Sequence, residues 1–461
     1  MMRQQPSSPL LVVLAYVGFI SLGLPDGLLG VAWPSMRGFF HLPLDALGAL
    51  LVTFTTGYLL SSCSSGRILA RVNVGSLLAL SCLATAASLL GYALTPWWGL
   101  MVALGALAGL GAGAIDAGVN TYVATRYSPR MVNWLHACYG IGATSGPVIM
   151  TSVLAAGLPW QWGYGIVGMG QLVLALCFGL TRTWWPAATA THDTSAHTLV
   201  HTASSGSTLR LPVVWLSIAV FFLYTGIEAA TGTWIYSLFT EVRAIPASTA
   251  GMWVSMYWGG LTIGRLVCGA VVSFMSVYLL LRLCIIGVAL GAALIWLNMT
   301  NMLSCVGLAL IGLALAPIFP SLIATTPERL GSTHTANGVG LQIAAAVLGQ
   351  SLLPGMLGML ARYLGLEMVA PALLAAALVL LVLYEIFMAL SPQGARLWRH
   401  RPTAASPAPL GAHLGEEHRR RTPKLSIWKR TRCTGVSGHA GAPGCSGAGD
   451  CPARRWVGKH G

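Results

Sequence analysis

Apolar residues run along this chain in long blocks separated by short polar connections. Twelve blocks are long enough to cross a hydrocarbon core of about 30 Å as helices, at approximately 10–34, 44–66, 74–94, 97–123, 133–157, 162–184, 212–239, 248–274, 282–299, 302–325, 333–360 and 366–390. The pattern predicts an all-α membrane protein of twelve transmembrane helices. Within the block from Leu100 to Val123 the polar and small positions share a face. At about 100° per residue, Gly105, Asp116, Gly109, Asn120 and Gly113 fall within an arc of roughly 80°. A carboxylate at mid-membrane costs roughly 2.5–3.5 kcal/mol on insertion scales. This face therefore points into a bundle interior or a water-filled cavity, with its glycines admitting a neighbouring helix.

Other blocks carry similar stripes. Asp26 stands in Leu24-Pro25-Asp26-Gly27, where it serves either as an ion-coupling acid or as an acceptor for backbone donors freed by the proline. Glu228 shares a face with Tyr224, Thr225, Thr231 and Gly232, and span five places Asn133, His136, Gly140, Thr144, Pro147 and Thr151 along one arc of roughly 80°. Asn120, Asn133 and His136 supply donors and acceptors that suit a hydroxylated solute. Trp253 and Tyr257 on span eight offer aromatic faces for stacking, and on span eleven Gln342, deeper than Asn337, is the preferred cavity-facing amide. Each also has a bland reading as packing, capping or interhelical bonding. Asp26, Asp116 and Glu228 are read as having no Lys or Arg at comparable depth. A carboxyl withdrawn from water without a counter-ion favours its neutral form, which is the physics of proton coupling; sodium, held by carboxylate and amide oxygens, is the alternative ion.

Composition agrees with a polytopic membrane protein: 461 residues, 55% hydrophobic, 8% charged, with mean hydropathy +0.72. No signal-peptide cleavage site is evident after Met1–Ser8, so the first span is expected to be retained. With the N-terminus in the cytoplasm, Arg3, Arg67, Arg71, Arg126, Arg130, Arg182, Arg210, Arg265, Arg282 and Arg329 fall on the cytoplasmic side and Arg37, Arg243 and Arg362 outside, which satisfies the positive-inside bias. Both termini are then cytoplasmic, in a plasma membrane or a bacterial inner membrane. The net charge of +14 does not indicate nucleic acid, because residues 396–461 hold thirteen Lys or Arg against three acids. Trp97, Trp98, Trp160 and Trp162 fit an outer interfacial belt. The cysteines form no disulfide or metal framework, Cys433, Cys445 and Cys451 read as unpaired thiols in the tail, and His192, His197 and His201 read as scattered linker residues rather than a metal site.

The chain divides into a six-span half (1–184), a cytoplasmic linker (185–211), a second six-span half (212–392) and a basic tail (393–461). The halves echo one another. Pro9 opens span one and Asp26 and Gly30 follow; Pro212 opens span seven and Glu228 and Gly232 follow at nearly the same offsets. Two pseudo-symmetric halves are the signature of transporters built from parallel repeats. Twelve spans in six-plus-six halves resemble the major facilitator superfamily over about residues 9–392. Gly109-Leu-Gly-Ala-Gly-Ala-Ile-Asp116-Ala-Gly-Val-Asn120, the run from Asn133 and His136 to Gly146-Pro147, and Tyr224-Thr-Gly-Ile-Glu228 with Gly232-Thr-Trp234-Ile-Tyr236 resemble its fucose/glucose permease branch, including sodium-dependent glucose transporter-like members. The resemblance implies gating loops after spans two and eight, where Arg67, Arg71, Gly264 and Arg265 are the matching residues. Ala70 departs from the acid expected in the first of these loops.

These features imply a monomeric secondary transporter that imports a neutral sugar or polyol with protons, or with sodium, and needs no cofactor. An antiport exporter of amphipathic compounds and a non-transporting sensor on the same scaffold are the alternatives. The chain has no phosphate-binding loop and no nucleophile with a local base, so neither ATP drive nor an enzyme is expected.

Overall fold

The computed structural model describes residues 9–69, 71–127, 129–185, 204–271 and 274–390. The basic tail with its cysteines, the linker histidines and Ala70 lie outside them. Among the described residues twelve long helices make up the bundle: α1 (Pro9–Phe40), α2 (Leu47–Leu69), α3 (Val74–Leu94), α4 (Trp98–Arg126), α5 (Pro129–Ala155), α6 (Gln161–Thr181), α7 (Pro212–Ser237), α8 (Ala247–Val271), α9 (Val277–Leu297), α10 (Asn301–Leu315), α11 (Ser332–Leu364) and α12 (Val369–Leu390). Among the described residues eleven helices are long and apolar enough to cross a membrane. The twelfth is α8, whose apolar character is diluted by Arg265 and by its Ser, Thr, Tyr and Gly residues.

Helix ends follow local chemistry. Asn73, Ser276 and Thr300 accept from the backbone N–H groups of Ser76, Leu279 and Leu303, capping α3, α9 and α10. Pro212 opens α7, where its missing N–H costs nothing. Inside α10 the chain breaks at Ala316-Pro317 and resumes as Ile318–Ala324, since Pro317 has no donor for the preceding turn. Pro25 and Pro34, by contrast, are accommodated within α1.

Helix pairing repeats with a shift of six. In the first half α1 packs on α5, α2 on α4, and α3 on α4 and α6; in the second α7 packs on α11, α8 on α10, and α9 on α10 and α12. The halves meet through α1 with α7, α2 with α11 and α5 with α8. The glycine face of α4 is the seam with α2. A Cβ on Gly109 would run into the carbonyl oxygen of Phe54, and one on Gly113 would stand 2.6 Å from that of Tyr58. Gly109→Ala is therefore expected to cost about 1–3 kcal/mol through overpacking, and Gly109→Leu to abolish folding, as read by thermal unfolding and by the yield of monodisperse protein.

Two ion pairs tie the halves together at the end that carries the α1–α2 and α7–α8 connections. Arg37 donates to Glu241 at 2.6 Å and Arg362 to Asp45 at 3.0 Å. Phe39 and Phe40 stack edgewise or tilted on Trp160 beside them. Trp160 is only 3% exposed, so it belongs to this aromatic plug rather than to the interfacial belt. At the opposite end Arg282 pairs with Glu385 within the second half, and Arg67 and Arg71 are exposed. Partly exposed pairs contribute at most about 1 kcal/mol each. Combining Asp45→Asn with Glu241→Gln is thus expected to lower stability by at most about 2 kcal/mol, as read by thermal unfolding.

Candidate functional site

Gly30 of α1 and Gly232 of α7 form the crossing point of the two halves. A Cβ on Gly30 would collide with the carbonyl oxygen of Gly232, so the backbones touch there. Each glycine lies four residues, about one turn, beyond an acid. The echo of acid and glycine in the two halves thereby brings Asp26 and Glu228 within electrostatic reach of one another.

Each intramembrane acid has a tyrosine. The Tyr139 hydroxyl donates to Asp26 Oδ2 at 2.6 Å, that of Tyr58 to Asp116 Oδ2 at 2.6 Å, and that of Tyr224 to Glu228 Oε2 at 2.5 Å. Asn120 Nδ2 adds a bond to Asp116 Oδ1 at 2.9 Å. A tyrosine hydroxyl both donates and accepts. The same contact therefore survives when the acid gains a proton, with the direction of donation reversed. Asp26 is exposed although it sits midway along α1, and it meets Tyr139 rather than the backbone donors around Pro25. Asp116 is half-buried and Glu228 is 6% exposed.

Glu228 is not without a counter-ion. Arg265 Nη2 reaches Glu228 Oε1 at 3.2 Å. The expectation of unpaired acids therefore fails for Glu228, and Arg265 lies well inside α8 instead of in a loop after it. Its guanidinium is also within electrostatic reach of Tyr139 and His136, both on α5 in the other half. His136 is exposed, stands edge-on to Phe19 at 5.7 Å, and lies within reach of Asp116. The three acids, their tyrosines, Asn120 and Arg265 thus form three hydrogen-bonded polar groups, which lie within electrostatic reach of one another and of His136 across the two halves.

Other expected site residues lie elsewhere. Tyr257 is fully buried and donates to the backbone oxygen of Glu228 at 2.8 Å, so it props α7 and presents no face for stacking. Trp253 packs perpendicular to Phe239 at 5.5 Å. Gln342 is 2% exposed, with Nε2 donating to Ser217 at 2.5 Å and Oε1 accepting from Thr326 at 3.0 Å. Both ends of its amide are engaged by protein, so it ties α7, α11 and the segment after α10 together instead of facing a cavity. Asn337 donates to Thr208 at 3.4 Å. Gly264 packs against Ala316 and Leu313. The side chain of Asn133 lies outside the described residues.

Tyr58 and Tyr139 escape sequence reading because they come from helices other than those of their acids. Hydrogen bonds to charged groups are worth about 1.5–3 kcal/mol. Tyr58→Phe and Tyr139→Phe are each expected to remove one such bond while leaving the helix packing intact, as checked by thermal unfolding.

The sequence pattern of the Major Facilitator Superfamily matches residues 15–354. Among curated relatives, Bypass of stop codon protein 6 of Saccharomyces cerevisiae is 22% identical over 78% of this chain and 79% of its own length. Sodium-dependent glucose transporter 1 of Xenopus laevis is 25% identical over 68% of each chain, and the glucose/mannose transporter GlcP of Bacillus subtilis 24% identical over 74% of this chain and 86% of its own. Among solved structures, a point mutant of the nucleoside transporter NupG has a TM-score of 0.69 at 14% identity, covering 81% of this chain and 98% of its own. FucP in the outward conformation has a TM-score of 0.55 at 15% identity over 82% and 98%. These likenesses show the fold, and the family match covers well over half of the sequence. With its twelve helices paired alike in two halves around a polar centre, the chain belongs to the Major Facilitator Superfamily of membrane transporters.

Proposed function

We propose that this transporter carries a neutral sugar or polyol together with protons, by rocking of its two halves about the crossing of α1 and α7. The observation that carries the reading is the exposed Asp26, set at the contact between the halves and bonded to a tyrosine able to serve both of its protonation states. Arg265 balances Glu228, which leaves Asp26 and Asp116 as the carriers of the coupling proton. Asn120 and His136 supply bonds to solute hydroxyls. The names of the relatives, glucose and glucose/mannose transporters, support the solute class.

With the N-terminus in the cytoplasm of a plasma-membrane protein, the end held by Arg37–Glu241 and Asp45–Arg362 faces outside and the polar cluster opens inward. Arg67 and Arg71 then belong to the inner gate. A monomer suffices, since both halves of the site come from one chain. The word sodium in the relatives' names keeps that ion as a second reading. Counterflow with a panel of radiolabelled sugars in proteoliposomes tests the solute class, and a set in which no sugar exchanges would overturn it. Replacing the inward proton gradient by an inward sodium gradient separates the two ions.

A further inference from the structure

A cavity of about 80 Å³ is lined wholly by residues of the first half, from α1, α2, α3, α4 and α6, with Asp26 in its wall. Asp26 is the most exposed of its lining residues, whereas Leu50, Leu89, Tyr92, Ala112 and Tyr164 are each at most 5% exposed. The cavity is thus most open at the acid and closes away from it. Beyond Asp26 its wall is almost wholly apolar. The Ser21 and Thr85 hydroxyls are spent on carbonyls of their own helices. Gln171 donates to the Ser21 carbonyl at 3.2 Å, which leaves its Oε1 as an unpartnered acceptor in the wall.

A water molecule needs roughly 10–15 Å³ of such space and two to four polar partners. Several waters would fit by volume, but beyond the mouth the wall offers too few partners to hold them. An apolar group suits this space and water does not.

We propose that this pocket seats an apolar substituent of the transported solute, so that preferred substrates are amphipathic, with a hydroxylated head at Asp26 and a short alkyl or aryl arm in the pocket. The inference rests on the reading of the protein as a sugar or polyol transporter and narrows its substrate class. Burying each methylene of the arm raises affinity about three- to fourfold until the pocket is full. The arm also explains why an acid in a transport site should open onto a greasy recess.

The test is counterflow by the full-length protein in proteoliposomes, using radiolabelled glucose, mannose, galactose and fucose challenged with methyl and n-hexyl glycosides of the same sugars. The hexyl compounds are expected to inhibit at concentrations at least about thirtyfold lower than the methyl compounds. Ala112→Phe fills the pocket and is expected to bring that ratio close to one; Ala112→Leu, a smaller filling, serves if the first variant does not fold and is expected to lower the ratio several-fold. Each variant is referred to its own methyl glycoside. Partition of hexyl chains into the bilayer would give a ratio that persists in the filled variants, and that result overturns the proposal. Equal inhibition by methyl and hexyl compounds in the wild type also overturns it while leaving sugar transport standing. A folded protein that responds to neither series overturns both readings together.

Discussion

Arg265→Gln is expected to lower the stability of the protein by about 3 kcal/mol, and Glu228→Gln in the same chain to return most of that loss. Removing one partner of a buried ion pair leaves the other charge desolvated and uncompensated, a penalty of about 3–5 kcal/mol. Glu228 is 6% exposed and the Arg265 side chain is about a quarter exposed, which places the effect at the lower end of that range. Glu228 keeps its bond from Tyr224 in the single variant, but one neutral donor does not replace a guanidinium. The double variant removes both charges and leaves two polar groups able to bond to each other. Thermal unfolding of the four proteins in one detergent gives the coupling energy directly. A pair contributing nothing would show additive losses. Transport by the double variant adds a second readout: if the pair serves only to hold α7 against α8, uptake recovers along with stability.

Under the proposed proton coupling, Asp116→Asn is expected to abolish accumulation driven by a proton gradient while leaving counterflow measurable, weakened by about ten- to a hundredfold. The amide keeps one acceptor for Tyr58 or Asn120, and losing a bond to a charged group costs about 1.5–3 kcal/mol, so exchange is weakened but survives. Accumulation has a stricter requirement. An amide cannot take up and release a proton between the two sides, so the gradient no longer drives the solute. Asp26→Asn is expected to behave in the same way, with a larger effect on binding because Asp26 is the exposed acid at the contact between the halves. Loss of both activities in Asp116→Asn, with normal unfolding, would assign Asp116 to solute binding and remove it from coupling.

The helices, the polar face of α4 and the correspondence of the halves are legible in the sequence because each depends on spacing within a single helix. Asp116 with Asn120, and Tyr224 with Glu228, stand four apart and meet on one face as helix geometry requires. The acid and glycine offsets of α1 and α7 are visible too, although their meaning, a backbone contact that sets Asp26 against Glu228, requires the pairing of the helices. What stays hidden lies between helices. Tyr58 and Tyr139 carry no local mark that they serve an acid elsewhere. Arg265 does carry one: it falls inside the predicted span 248–274, and its depth points to a buried partner, but as a base near a span end it groups by sequence with the cytoplasmic loops. Gln342 and Tyr257 lie on plausible faces, yet periodicity does not tell a wall of protein from a wall of cavity. Ser217 and Thr326 occupy the Gln342 amide and the Glu228 carbonyl occupies the Tyr257 hydroxyl. Trp160 resembles a belt residue by position and is claimed by Phe39, Phe40 and Tyr164.

The proposal that protons travel with the solute is tested most directly in sodium-free proteoliposomes without any imposed gradient, by recording the external pH when a solute identified by counterflow is added. Symport predicts an external alkalinisation that follows solute entry in a fixed ratio and disappears in Asp116→Asn. Entry of the labelled solute with no change in external pH would contradict it.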